Sequence, residues 1–187
     1  MHTSLERHRT RSLVLRAPRP DDAAAVFAIA SDPRVWTHFP SGRPLEVRES
    51  AAGIDRWREG GAADGLGVWL VSTAGEPDRI IGYAGCWGRA AGRLWNLGYR
   101  FAPSAQGRGF ATEAAAEAVA QAQGLDAARP VVALVLEHNT GSRAVAERCG
   151  LSVRFRGRDV GNPDAAAVRL VLADRPLADE EIAAALG

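Results

Sequence analysis

Hydrophobic and polar positions along this chain fall into alternating strands and amphipathic helices. "SLVLRAP" (12–18) alternates weakly and ends at proline, as a first strand would. "PDDAAAVFAIASDP" (20–33) opens with Pro20 and two aspartates, then places apolar residues at Val26, Phe27, Ile29 and Ala30. That predicts a helix with its acidic first turn set to suit the dipole. "RVWTHFP" (34–40) is an aromatic connector, and "PLEVRESAAGIDRWREGG" (44–61) predicts a second helix closed by glycines. Next come "LGVWLVST" (66–73), "DRIIGYAGCWG" (78–88) and "GRLWNLGYRFA" (92–102), three strands separated by short turns and therefore an antiparallel meander. "FATEAAAEAVAQAQ" (110–123) is a helix stopped at Gly124, "PVVALVLE" (130–137) a buried strand, and "NTGSRAVAERC" (139–149) a helix stopped at Gly150. Strands over 151–160 and 165–173 complete the core, and "PLADEEIAAALG" adds a short terminal helix. The order βααβββαβαββ predicts an α/β fold: a mixed central sheet of about seven strands with flanking helices. We expect one domain over 1–187, with a basic tail at 1–11 and a C-terminal extension at 174–187.

Composition narrows the class. The chain has 187 residues, 47% apolar and 24% charged, which suits one globular core. No apolar run approaches the roughly 18 residues of a spanning helix, so no membrane partner is expected. The first twenty residues carry Arg7, Arg9, Arg11, Arg16 and Arg19 but no apolar signal-peptide segment, which reads as a frayed basic tail before the first strand, with an Arg-rich transit peptide as the alternative. His2 and His8 belong to that tail. Cys86 and Cys149 stand alone, with neither a disulfide framework nor metal spacing, as expected for a metal-free cytoplasmic protein. A net charge of +1 gives no field for nucleic acid. All 23 basic residues are arginine, which removes Schiff-base lysine chemistry and the P-loop lysine.

The chemistry concentrates in "PSAQGRGFATEAA" (103–115), where Gly107 and Gly109 flank an arginine just before a helix. Glycine is costly inside a helix, so a pair here implies either a tight turn or backbone that approaches a ligand closely. A P-loop is excluded by the missing lysine. A dinucleotide fingerprint needs a third glycine where Thr112 stands, and an early βαβ unit. What remains is Gln106-x-x-Gly109-x-Ala111 between a strand and a helix. Small residues there leave successive N–H groups bare at the positive end of the helix dipole, where a pyrophosphate would sit.

This segment resembles the signature of the GNAT superfamily of acetyl-CoA-dependent N-acetyltransferases, [QR]-x-x-G-x-[GA]. "LEHNTGSRAVAERCGL" resembles the family's N-x-x-[SA] … G-[FL] segment one strand later. The spacing in "LGYRFAPSAQGRGFATEAA" is similar to the RimJ/RimL-like branch, which acetylates ribosomal-protein N-termini. The likeness covers roughly residues 12 to 173 and is densest from 95 to 151. It implies acetyl-CoA as acetyl donor, a primary-amine acceptor (a protein or peptide N-terminus, or a small amine), direct attack on the thioester, no metal, and a monomer or homodimer. Gln106, Gly107, Arg108, Gly109, Phe110, Ala111 and Thr112 would form the pyrophosphate loop. Backbone groups of Phe101 and Ala102, at the end of a splayed strand, would hold the pantetheine arm and the thioester oxygen. Asn139 would contact the cofactor arm, Ser142 would lie near the sulfur, and Arg143 would meet the 3′-phosphate. Trp36, His38 and Phe39 would border the acceptor.

Each residue also has a plainer reading. Asn139 is a good helix N-cap, with Ser142 suited to the same first turn. Arg143 and Arg148 suit a solvated helix face, His138 a strand end, and the aromatics at 36–39 a core plug. Trp69, Trp87 and Trp95 read as core or sheet-face packing. The family's usual acid, a tyrosine seven residues after the motif asparagine, is replaced by Ala146, so Ser142 becomes the proton donor. RimL-like proteins often carry a glutamate on the fourth strand where this chain has Asn96, which can orient water but not accept a proton. Glu137 and His138 are the remaining base candidates. The missing tyrosine and glutamate also admit a non-catalytic acyl-CoA-binding protein with the same fold.

Overall fold

In the computed structural model, which describes residues 7–187, one mixed sheet runs through the molecule in the order β1-β2-β3-β4-β5-β6-β8-β7. Its strands are β1 (Arg7–Arg9), β2 (Leu13–Arg16), β3 (Val68–Thr73), β4 (Glu76–Arg89), β5 (Leu94–Phe101), β6 (Val131–Leu136), β7 (Ser152–Arg158) and β8 (Val168–Ala173). The helices are α1 (Ala23–Ala30), α2 (Val47–Asp64), α3 (Phe110–Leu125), α4 (Thr140–Arg148) and α5 (Asp179–Leu186). The expected β3-β4-β5 meander is antiparallel, and β5 joins β6 in parallel.

Eight strands stand where about seven were expected, because the basic tail is not frayed throughout. Arg7, His8 and Arg9 pair with β2, and the His8 ring packs 5.4 Å from that of Trp69. The reading of His2 falls outside the described residues. Two helix bounds also shift. The segment 20–33 begins as a short 3-10 turn, Pro20–Asp22, because the Asp22 carboxylate folds back to accept the Arg19 N–H and pairs with Arg16. The glycines at 60 and 61 do not close α2: Gly61 is buried against Gly67, and the helix runs to Asp64 before Gly65 ends it.

The two faces of the sheet are covered by different helices. On one, alanines 114, 118 and 122 of α3 share a stripe at four-residue spacing, all fully buried with Trp69, Trp95 and Leu97. Small side chains let this helix lie close over the meander. The other face carries Leu70 beneath α1 and α2, and Leu94, Val132 and Val171 beneath α5. No described helix is long and apolar enough to cross a membrane.

Candidate active site

Parallel pairing between β5 and β6 is confined to Trp95↔Val131 and Asn96↔Val132. Beyond it the two strands part, and a cleft of about 1340 Å³ opens between them. Typical small-molecule sites occupy about 300–1,000 Å³, so this one has room for an extended ligand and a second molecule. Leu97 to Phe101 line one wall and Ala133 to Leu136 the other. The glycine loop, α4 and the connector 34–39 complete the lining.

In the glycine loop, Gly107 and Gly109 adopt φ of +73° and +82°, backbone that other residues reach at a cost. No heavy atom lies within 4 Å of where a Cβ would stand on either. Gly109 is the N-cap of α3 and supplies no side-chain cap, so the first-turn N–H groups face the cleft without one. Gln106 turns back, its Nε2 donating 3.0 Å to the Phe101 carbonyl, which ties the loop to the end of β5. Arg108 lies over the Phe110 ring, whose own side chain is buried. Ala111 and Thr112 continue the lining into α3. The pyrophosphate segment expected from the sequence is therefore gathered in one place.

Backbone direction along β5 sorts the expected amides. Trp95 N–H donates to Pro130 on the β6 side, and Ala102 N–H donates 2.9 Å to Ile81 on the β4 side. Alternation then turns the amides of Tyr99 and Phe101 toward the open split, past the last β5–β6 pair. Phe101 keeps its expected position; the Ala102 N–H is spent on β4 and does not face the cleft.

Asn139 caps α4, its Oδ1 accepting the Ser142 N–H at 3.1 Å. Both residues also line the cleft, so capping and site lining coincide. Ser142 Oγ donates 3.2 Å to the Tyr99 hydroxyl, which in turn donates 2.6 Å to the Ser142 carbonyl. Burial pushes the Tyr99 hydroxyl up to about 12, so it stays protonated. Residues 142, 145 and 148 recur every three positions on the cleft face of α4, and Arg143 falls off that face. Arg143 is instead an exposed partner of Glu147 at 2.8 Å, and Arg148 is the arginine of α4 that lines the cleft.

Asn96 is not brought to Ser142. It is buried on the opposite face of β5 from Tyr99, in a second cavity of about 500 Å³ shared with Trp87, Arg158 and Asp159. Trp87 covers Gly98 there, while Trp69 and Trp95 are fully buried core. The base candidates Glu137 and His138 are occupied elsewhere. Glu137 holds Arg156 through two bonds of 2.6 and 2.8 Å, and that partner lowers its pKa. His138 Nε2 meets the His38 carbonyl at 3.0 Å.

Trp36, His38 and Phe39 line the cleft together. The Trp36 indole N–H donates to the Ala30 carbonyl, and its ring stacks with His38 at 6.2 Å. Burial, followed by the charge of Arg100, lowers the His38 pKa, so the imidazole is neutral at neutral pH. Among the described residues Glu113 is the one carboxylate in the lining, and it is held by Ser12 and Thr10. No cysteine lines the cleft. Burial raises the Cys149 thiol to about 11, and Cys86 is buried in the core with its pKa likewise raised. Neither offers a thiolate nucleophile. Sequence reasoning missed Tyr99 and Arg100, and of the two α4 arginines it weighed for the 3′-phosphate it backed Arg143, whereas Arg148 is the one in the lining. The period-two pattern that placed Phe101 carries the signal for Tyr99, and the three-residue spacing from Ser142 carries it for Arg148.

The chain is similar in structure to an acetyltransferase of the GNAT family from Bacillus anthracis, with 18% identity, TM-score 0.73, and 89% of this chain and 96% of that one covered. It is similar to RimL, the ribosomal L7/L12 α-N-protein acetyltransferase, in complex with coenzyme A: 15% identity, TM-score 0.74, 90% and 96% covered. It is also similar to the ribosomal-protein-S5-alanine acetyltransferase from Vibrio fischeri, with 14% identity, TM-score 0.72, and 89% and 94% covered. The family model for the acetyltransferase (GNAT) domain matches residues 12–152, most of the chain and all of the glycine loop and α4. The chain belongs to the GNAT acetyltransferase family.

Proposed function

We propose that this GNAT acetyltransferase moves an acetyl group from acetyl-CoA directly to a weakly basic primary amine, such as a peptide N-terminus. The observation that carries the reading is the parting of β5 from β6 beside Ser142, with the positive-φ glycines in the cleft lining. The residues present fit the donor. Bare amides at the start of α3, with Arg108 and Arg148 in the same lining, suit a pyrophosphate. The split offers the Tyr99 and Phe101 amides to an extended amide-bearing arm.

Acetyl-CoA supplies an acyl group already activated as a thioester. The Phe101 or Tyr99 N–H stabilises charge that develops on the acyl oxygen. Ser142 Oγ, oriented by Asn139 and Tyr99, holds the proton that the departing sulfur takes, and solvent restores it. With no thiolate in the cleft, the amine attacks without a covalent acyl-enzyme. The amine proton passes to water or to His38, the neutral imidazole on the acceptor side. The isolated thiols suit the reducing cytoplasm.

Two of the similar structures are named for acetylation of ribosomal proteins, one at its α-amine, which supports an N-terminal acceptor. Release of free thiol from acetyl-CoA, screened against peptides, amino acids, polyamines and aminoglycosides, tests the reading. We expect release with α-amines and little with lysine side chains. Binding of acetyl-CoA without release to any amine would mark a non-catalytic acyl-CoA-binding protein.

A further inference from the structure

Arg100 sits near the end of β5. Its Nη1 is closed off from solvent and has no hydrogen-bond partner, and among the described residues no carboxylate pairs with the guanidinium. The group lies flat on Trp36, 3.3 Å from the ring centroid, and lines the cleft. The neighbouring charges are already committed. Arg169 in the same lining is held by Asp159 at 2.7 and 2.8 Å, and Glu113 is held by Ser12 and Thr10. Burial lowers the Arg100 pKa, which marks the cost of keeping it charged there. A cation that only filled space would be replaced by an apolar side chain at no loss. Stacking on Trp36 recovers part of the cost through the ring face but leaves Nη1 unused.

What a guanidinium fork fits best is a carboxylate or phosphate, bound through two parallel hydrogen bonds. Arg100 and Phe101 line the same cleft, so an anion held by Arg100 shares that space with the groups proposed to act on the thioester. We propose that Arg100 reads an anionic group on the acceptor, and that the substrate is an amine bearing a carboxylate or phosphate near its nitrogen. Amino acids, phosphorylated amines and peptides with acidic first residues share that chemistry. The inference rests on the transferase reading above and narrows its substrate class.

The test compares amines differing in one charge: an α-amino acid against its amide, phosphoethanolamine against ethanolamine, and a Ser-Asp peptide against Ser-Asn. In the wild type we expect at least one charged member to exceed its neutral partner at least tenfold in kcat/KM, and the winning pair identifies the source of the anion. In Arg100→Met that gain should vanish, and in Arg100→Lys it should fall several-fold. Neutral and charged members turned over equally by the wild type would overturn the proposal, as would Arg100→Met keeping the preference. Should no amine be turned over, the transferase reading fails, and calorimetry with succinate, in the presence of coenzyme A to fill the loop, still reads Arg100. There we expect binding at least tenfold weaker in Arg100→Met, and equal binding, or none to the wild type, would refute the role. If Arg100→Met loses coenzyme A binding, Arg100→Lys carries the same comparison.

Discussion

The Tyr99 hydroxyl donates to the Ser142 carbonyl at 2.6 Å and accepts from Ser142 Oγ at 3.2 Å, joining β5 to α4 across the cleft. The Ala146 amide lies beside the same oxygen. Ala146 is itself fully buried, and Tyr99 packs against the same core cluster. Under the proposed mechanism, Tyr99 positions Ser142.

Removing that hydroxyl separates positioning from fold. Tyr99→Phe should lower kcat by ~10-fold with acetyl-CoA affinity unchanged, and Ser142→Ala by ~10²-fold, the low end for general acid catalysis. The double variant should be no slower than Ser142→Ala, because both changes act on one proton. Steady-state kinetics with calorimetry check it. A Ser142→Ala enzyme of full speed, less stable by about 1 kcal/mol, would reduce Ser142 to helix capping.

The glycine loop predicts an affinity effect. Gly109→Glu places a carboxylate in the proposed cradle and should weaken acetyl-CoA binding by at least ~100-fold. Because φ is +82°, any side chain adds strain, so Gly109→Asn is the control; asparagine tolerates this backbone region best. Calorimetry on both should show Asn binding far better than Glu. Equal losses would mean strain, not charge, sets the affinity.

Glu113 ties Thr10 and Ser12, ahead of β2, to the first turn of α3. Burial pushes its pKa up, but the bonds from Ser12 and Thr10 outweigh it and leave it lowered from the ordinary glutamate value. A depressed folded value means the stabilisation is present above the unfolded pKa and lost as pH falls through the folded one. Glu113→Gln should therefore melt about 2–4 °C lower at pH 7, the equivalent of about 1 kcal/mol. The gap should narrow as pH falls below the ordinary glutamate value, read from melting curves across pH.

Much of this was legible in the chain because local signals agreed with the fold. The antiparallel meander and the helix opening at Phe110 each follow from one local pattern. The tail was misjudged because a three-residue edge strand carries no period of its own; pairing with β2 makes it. Asn96 lines the second cavity and not the cleft, which a strand's alternation alone does not reveal. The same ambiguity hid Tyr99, and only the Ser142 contact resolves it. Arg100 was invisible as a ligand group, since an arginine in a strand reads as an edge until its burial is known.

The central claim is transfer to an amine that is already substantially neutral, since Glu113, the one carboxylate among the described residues of the lining, is committed to Ser12 and Thr10. At pH 7.5 about a quarter of an α-amine with pKa near 8 is neutral, against roughly one part in a thousand of a lysine near 10.4. The decisive measurement is kcat/KM at pH 7.5 for an acidic peptide with a free N-terminus and for the same peptide capped and carrying lysine, with products identified by mass. We expect acetylation of the free N-terminus, preferred by more than ~100-fold. Preference for the capped lysine peptide, or binding of acetyl-CoA with no acetylated product, would contradict it.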